Sequence, residues 1–318
     1  MADRKMNNEI MSTNAEKTVS LVLGSGGARG LAHIGVIHWL EENGFKIESI
    51  SGCSMGALIG GVYAAGKLDV FEQWVNAITK VDIVTLLDLS WERTGLVKGD
   101  KIINTLIDLV GDQLIEDLPF SYTAIASDVN REKEIWITSG KLFDAIRASI
   151  SLPLFFTPFN YRGVALIDGG VLNPVPIAPT FGDETDMTIA VNLGGKVDIK
   201  EEKNGAQSST EEKNGAQFPT GEDSSPLKKK VSSFIERFKQ TIKTTGKLDW
   251  GVYDIANQAF DAMQSTIARQ KLASYPPDYV IEIARNACGT LEFDRASEMI
   301  ELGYRRAQES LGQVSKEN

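Results

Sequence analysis

Short, dense apolar runs alternate along this chain with longer segments in which apolar residues return every three to four positions. The short runs at 18–23 (TVSLVL), 45–51 (FKIESIS), 122–127, 134–138, 164–167 (VALI), 187–193 and 278–283 (DYVIEI) have the length and residue types of strands. The periodic segments at 31–42, 57–65, 70–78, 101–110, 250–271 and 291–311 predict helices. Strands and helices take turns, which predicts an α/β fold: a mainly parallel sheet with helices on both faces. The 122–127 and 134–138 runs read as a strand pair. A strand as late as 278–283 is expected to rejoin the main sheet.

The pattern breaks at 196–226. The heptapeptide EEKNGAQ occurs at 201–207 and again at 211–217, in a polar, acidic stretch nearly free of large apolar residues. Such a stretch cannot bury enough surface to order itself, so it predicts a disordered insertion. Residues 1–17 are equally polar and predict a disordered tail. The chain therefore divides into a tail (1–17), a core (18–195), the insertion (196–226) and a C-terminal part (227–318) of helices and a late strand packed on the core. Within that last part, 227–247 sets Lys228, Lys229, Lys230, Arg237, Lys239, Lys243 and Lys247 against the single acid Glu236. Its apolar residues fall at helical spacing, giving a basic amphipathic helix that either lies on an anionic membrane or packs on the core. The 81–96 segment, with Leu86, Leu87, Leu89 and Trp91, is either an apolar flap or ordinary core.

Charge and cysteine content narrow the function classes. The 318 residues carry a formal net charge of −10, which argues against a general nucleic-acid binder. Cys53 and Cys288 are the only cysteines, which suits a reducing compartment and offers no metal-ligand cluster. No stretch has the length of a membrane-spanning helix and the N-terminal residues lack a signal peptide's apolar core, so the expectation is a cytoplasmic protein without cofactor or metal.

Candidate chemistry sits at three glycine-containing turns. Gly52-Cys53-Ser54-Met55-Gly56 lies between a predicted strand and a predicted helix, where a serine is presented on a sharp turn above the sheet edge. Only His33 and His38 exist, both upstream of Ser54 and both in the periodic segment 31–42. The serine–acid–histidine order of an α/β-hydrolase is thereby excluded, and the histidines read as packing or helix-surface residues. A base for Ser54 would then be a carboxylate. The second turn is Gly24-Ser25-Gly26-Gly27-Ala28-Arg29-Gly30. It fails the dinucleotide fingerprint, because Arg29 occupies the third glycine position, and it lacks the Gly-Lys-Ser/Thr end of a P-loop. It is either a tight turn without a ligand or a cradle for a transient oxyanion, formed by the amides of Gly26, Gly27 and Ala28. The third is Asp168-Gly169-Gly170 at the end of a predicted strand, where the aspartate is a turn former, a helix cap or a functional group.

Together and in this order, the three turns resemble the patatin-like phospholipase family, close to the bacterial members related to neuropathy target esterase. The family's G-G-x-R-G loop is matched by Gly26 to Gly30, its G-x-S-x-G elbow by Gly52 to Gly56, and its D-G-G/A element by Asp168 to Gly170. The segments 145–153 (AIRASISLP) and 171–176 (VLNPVP) are similar too, and the resemblance covers roughly residues 19 to 195. It implies a three-layer α/β/α fold and a lipid acyl hydrolase of the phospholipase A or lysophospholipase type. Ser54 would be the nucleophile and Asp168 its proton acceptor, working through an acyl-enzyme with no cofactor. Gly26, Gly27, Ala28 and Arg29 would form the oxyanion hole, and Gly52, Gly56 and Gly169 would permit the turns. Arg29 either reinforces that hole, meets a phosphate headgroup, or shapes the loop through a salt bridge. The apolar 149–159 loop (SISLPLFFTPF) suits an acyl-chain channel, and burial is expected to raise the pKa of Asp168. The substrate would be a lipid or lysolipid ester, met at the inner face of a membrane if 227–247 binds anionic lipid. The open alternatives are a transacylase, or a regulatory or scaffold protein on the same fold with little turnover.

Overall fold

Alternation along the first strand sets up the architecture. In β1 (Lys17–Leu23), Val19, Leu21 and Leu23 are fully buried in one apolar cluster, while Val22 points the other way into a second. A strand buried on both faces belongs in the middle of a covered sheet. The structure, a computed structural model, describes residues 16–78, 97–153, 155–198 and 251–314. The 81–96 segment, the basic 227–247 segment, and nearly all of the N-terminal tail and the acidic insertion lie outside the described residues.

The remaining strands are β2 (Phe45–Cys53), β3 (Ser121–Asp128), β4 (Lys133–Ile137), β5 (Phe159–Tyr161), β6 (Val164–Asp168), β7 (Met187–Gly195) and β8 (Tyr279–Ala284). Their order is β5-β6-β3-β2-β1-β7-β8, with β4 also paired to β3. The β3-β2-β1-β7-β8 portion is parallel throughout, and β4, β5 and β6 add antiparallel pairings at one side. The late strand β8 thus joins the main sheet beside β7.

The helices are α1 (Ala32–Glu42), α2 (Met55–Ala64), α3 (Leu68–Ala77), α4 (Asp100–Val110), α5 (Leu142–Ser149), α6 (Gly251–Ser274) and α7 (Ala296–Leu311). Buried side chains of α1 to α5 and α7 share the cluster of Val19, Leu21 and Leu23. Ala268 and Leu272 of α6 instead meet Val22, Val175, Ile177 and Ala190 on the opposite face. The result is the three-layer α/β/α arrangement with a mainly parallel sheet. α7 crosses α1 at very short range: a β-carbon at Gly303 would lie 1.9 Å from the carbonyl oxygen of Ala32. Only glycine permits that approach. Among the described residues no helix is long and apolar enough to cross a membrane.

The sequence pattern does not pick out β5 or α5, and several boundaries differ from it, three of them with a plain physical cause. α2 begins at Met55, because Ser54 itself is the turn residue that starts it. α3 begins at Leu68, which is buried and so belongs to its apolar stripe. The 291–311 segment opens with a short 3-10 turn at Phe293–Arg295 before α7.

Candidate active site

Ser54 is forced onto its turn by what surrounds it. Its backbone has φ 54° and ψ −121°, a left-handed conformation uncommon for a residue with a side chain. The strain is tolerated because the chain cannot relax. A β-carbon at Gly52 would sit 2.5 Å from the Gly56 carbonyl oxygen, and one at Gly56 would sit 2.0 Å from that of Leu23. The turn lifts Ser54 Oγ off the end of β2 at the start of α2, where the helix dipole favours negative charge.

Asp168 arrives at the same point from β6, whose end pairs with Ala126 of β3. Its Oδ2 accepts a hydrogen bond from Ser54 Oγ at 2.5 Å, and its Oδ1 accepts from the Gly170 amide at 2.7 Å. Gly169 lets the turn pass under β3, since a β-carbon there would lie 2.2 Å from the Ile125 carbonyl oxygen. Asp168 is fully buried. Burial raises its pKa from 3.8 to about 6, against the opposing hydrogen bonds from Ser54 and Gly170. Cys53, next to Ser54, is also fully buried, and burial holds its thiol well above the ordinary range. It is a packing residue, not a second nucleophile.

The glycine loop lies across from this pair. Gly24 and Ser25 donate to the carbonyls of Val191 and Pro174, and the Ala28 amide donates to that of Thr290 at 2.9 Å. This corrects one expectation: Ala28 has its amide taken up by the C-terminal part of the chain and is not a free donor. Among the described residues the amides of Gly26 and Gly27 have no partner, and both residues line a crevice with Ser54. The Arg29 guanidinium adopts the salt-bridge role. Nε donates to the Gly26 carbonyl, Nη1 to that of Arg285, and Nη2 to Asp261 of α6.

Neither histidine serves Ser54. His33 is buried with Nε2 2.9 Å from the Gly24 carbonyl oxygen, which can only accept, so Nε2 carries the proton. Burial lowers its pKa to about 4, and it braces the loop as a neutral ring. His38 pairs with Glu72 of α3 at 2.7 Å.

Ser54 also opens onto an apolar cavity. Its walls come from α3 (Phe71, Trp74, Val75), α4 (Ile102, Leu106), the loop after α5 (Ile150, Leu152, Phe155, Phe156) and the segment before α7 (Thr290, Leu291, Phe293). The 149–159 loop thus contributes four of the lining residues named here. The sequence reading missed the α3, α4 and 290–293 contributions. Amphipathic spacing on α3 and α4 marks which residues are buried, but not that they face a cavity instead of a neighbour. It missed Ser149 as well, whose Oγ accepts from the Ser54 amide at 2.8 Å. Among the described residues no cluster of three or more His, Cys, Asp or Glu could hold a metal ion.

A buried hydroxyl–carboxylate pair, free amides nearby and an apolar cavity can together transfer an acyl group. Comparison with known proteins points the same way. The family model for patatin-like phospholipases matches residues 21–181. An uncharacterised NTE family protein of Mycobacterium tuberculosis is 39% identical over 327 residues, spanning 92% of this chain and 91% of its own. A lysophospholipase of Yarrowia lipolytica is 30% identical over 195 residues, 59% of this chain but only 13% of that protein. Among solved structures, VipD from Legionella pneumophila aligns with 94% of this chain and 67% of its own at 15% identity and a TM-score of 0.43.

Proposed function

The chain belongs to the patatin-like phospholipase family, and from that membership we propose that it is a serine esterase of lipids, of the phospholipase A or lysophospholipase type, working through Ser54 and Asp168. The observation that carries this reading is the 2.5 Å hydrogen bond from Ser54 Oγ to Asp168 Oδ2 at the edge of an apolar cavity. As Oγ attacks the ester carbonyl, its proton passes to Asp168. The negative charge that develops on the carbonyl oxygen is met by the amides of Gly26 and Gly27. Such preorganised donors commonly contribute about 3–4 kcal/mol to the transition state. Protonated Asp168 then returns its proton to the departing alcohol or lysolipid, leaving the acyl group on Ser54. A water gives its proton to the same carboxylate and attacks the acyl-enzyme; Asp168 hands that proton to the departing Ser54 Oγ, the fatty acid is released and the starting pair is restored. An aspartate whose pKa stands at about 6 is a far better matched base at neutral pH than one at 3.8.

The acyl chain would occupy the cavity between α3, α4 and the 150–156 loop. The six lysines and one arginine in 227–247 add a contact with anionic lipid at a membrane surface to this reading. A fluorophosphonate probe tests the assignment directly. Wild type should be labelled and should release fatty acid from a lysolipid or phospholipid panel in the presence of a chelator. Ser54→Ala should take no label, and Asp168→Asn should stay folded and lose several orders of magnitude in turnover. Labelling of Ser54→Ala at the wild-type level would end the proposal.

A further inference from the structure

The Ser54–Asp168 pair is built from elements far apart in the chain, and one short segment touches both. Ser149 ends α5 and is fully buried. Its Oγ accepts from the Ser54 amide at 2.8 Å and donates to the Ile125 carbonyl oxygen at 2.6 Å. The roles are fixed, because an amide N–H can only donate and a carbonyl can only accept. Two residues on, the Ser151 carbonyl accepts from the Asp168 amide at 2.9 Å. The hydroxyl of Ser149 therefore holds the strained backbone of Ser54, and the backbone of Ser151 holds that of Asp168.

The segment is itself anchored on both sides. Ile150 and Leu152 turn into the apolar cavity wall. Arg147, buried one helical turn earlier, donates to Ser151 Oγ at 2.6 Å and to the carbonyls of Lys98 and Thr157. Its guanidinium also lies over the rings of Phe156 and Phe159, with centroids 5.3 and 5.6 Å away.

We propose that the 149–151 segment is the clamp that sets the distance between Ser54 and Asp168, and that Ser149 is a positioning residue for the esterase reaction. The proposal rests on the esterase reading. Ser149 touches neither the ester nor the reacting oxygens; it acts through the amide of Ser54. Without its hydroxyl the Ser54 amide and the Ile125 carbonyl lose their shared partner, and the φ of Ser54 is no longer pinned from that side. Oγ then drifts from Oδ2.

The test uses the full chain and p-nitrophenyl butyrate, comparing Ser149→Ala and Ser149→Cys with wild type. A misplacement of this kind commonly costs about 100-fold in rate. Ser149→Ala should lose about that factor in kcat with KM within about threefold of wild type. It should also move the acid limb of its kcat/KM profile to higher pH, because the hydrogen bond from Ser54 stabilises the charged form of Asp168. Loss of packing alone would not move that limb. Ser149→Cys keeps a weak acceptor and donor and should fall between the two; if the alanine variant fails to fold, the cysteine variant decides by the same two readings. Wild-type kcat with an unmoved limb in a folded variant would overturn the proposal. So would a loss confined to KM. Failure of the esterase reading is distinguishable, since wild type would then leave the ester unhydrolysed, as Ser54→Ala does.

Discussion

Arg29 of the glycine loop and Asp261 of α6, 232 positions apart in the chain, are joined by an ion pair of 2.9 Å. Through it the helix on one face of the sheet fixes the loop that lines a crevice with Ser54. The guanidinium is 3% exposed and also donates to the carbonyls of Gly26 and Arg285. Arg29→Met should therefore leave three acceptors short of a donor and destabilise the protein by about 3 kcal/mol. Arg29→Lys should recover only part of that, because an ammonium cannot reach all three in one plane. Thermal or urea unfolding of the two variants reads the difference; equal stability of Arg29→Met and wild type would remove the loop-bracing role.

Catalysis by a buried aspartate predicts a specific pH profile. If Asp168 is the base, it works only when ionised, and burial places its pKa at about 6. Initial rates on a neutral ester should rise as pH increases through that value and level off above it. A rate already flat at pH 4.5 would mean that a different group accepts the Ser54 proton.

The same shift has a cost to folding. Asp168 binds its proton more tightly in the folded protein, with a pKa of about 6, than in the unfolded chain, at an ordinary 3.8. Stability is thus highest for this group below 3.8, falls as pH rises towards 6, and stays reduced above it. His33 works in the opposite direction: its pKa is lowered from 6.5 to about 4, so acidification through that range favours the unfolded chain. Comparing Asp168→Asn with wild type cancels the histidine. The variant should be the more stable protein at pH 8, by up to about 3 kcal/mol, with the advantage gone near pH 4. Denaturant midpoints at the two pH values measure it.

Chain-length preference should follow the cavity. Ile102 of α4 is half-buried and lines it. Ile102→Trp adds bulk where the acyl chain would lie, and each excluded methylene commonly costs about 1–3 kcal/mol of discrimination. The ratio of kcat/KM for a p-nitrophenyl decanoate to that for the butyrate should fall at least about 10-fold. An unchanged ratio would place the acyl chain elsewhere.

The elbow, the glycine loop and the Asp-Gly-Gly turn were legible in the amino-acid sequence because each depends on local geometry. Where a β-carbon would overlap the backbone, as at Gly56 against Leu23, only glycine is possible, and the residue type records the constraint. The absence of any histidine after Ser54 was equally legible, and it leaves a carboxylate as the candidate base. Most of the strand and helix order followed from periodicity, which reflects burial of each element's own face; the short β5 and the eight-residue α5 did not, being too brief to show a period. Which partner satisfies a given group is a different kind of fact. Ala28 offers the same amide whether it meets an oxyanion or, as here, the Thr290 carbonyl. Ser149 is one buried serine among several until β2 brings the Ser54 amide to it. The cavity walls from α3, α4 and 290–293 carry the same apolar stripe a solid core would need. Hydrogen-bond pairing and the placing of empty space are set by the mutual packing of distant elements, and residue identity at one position holds no record of them.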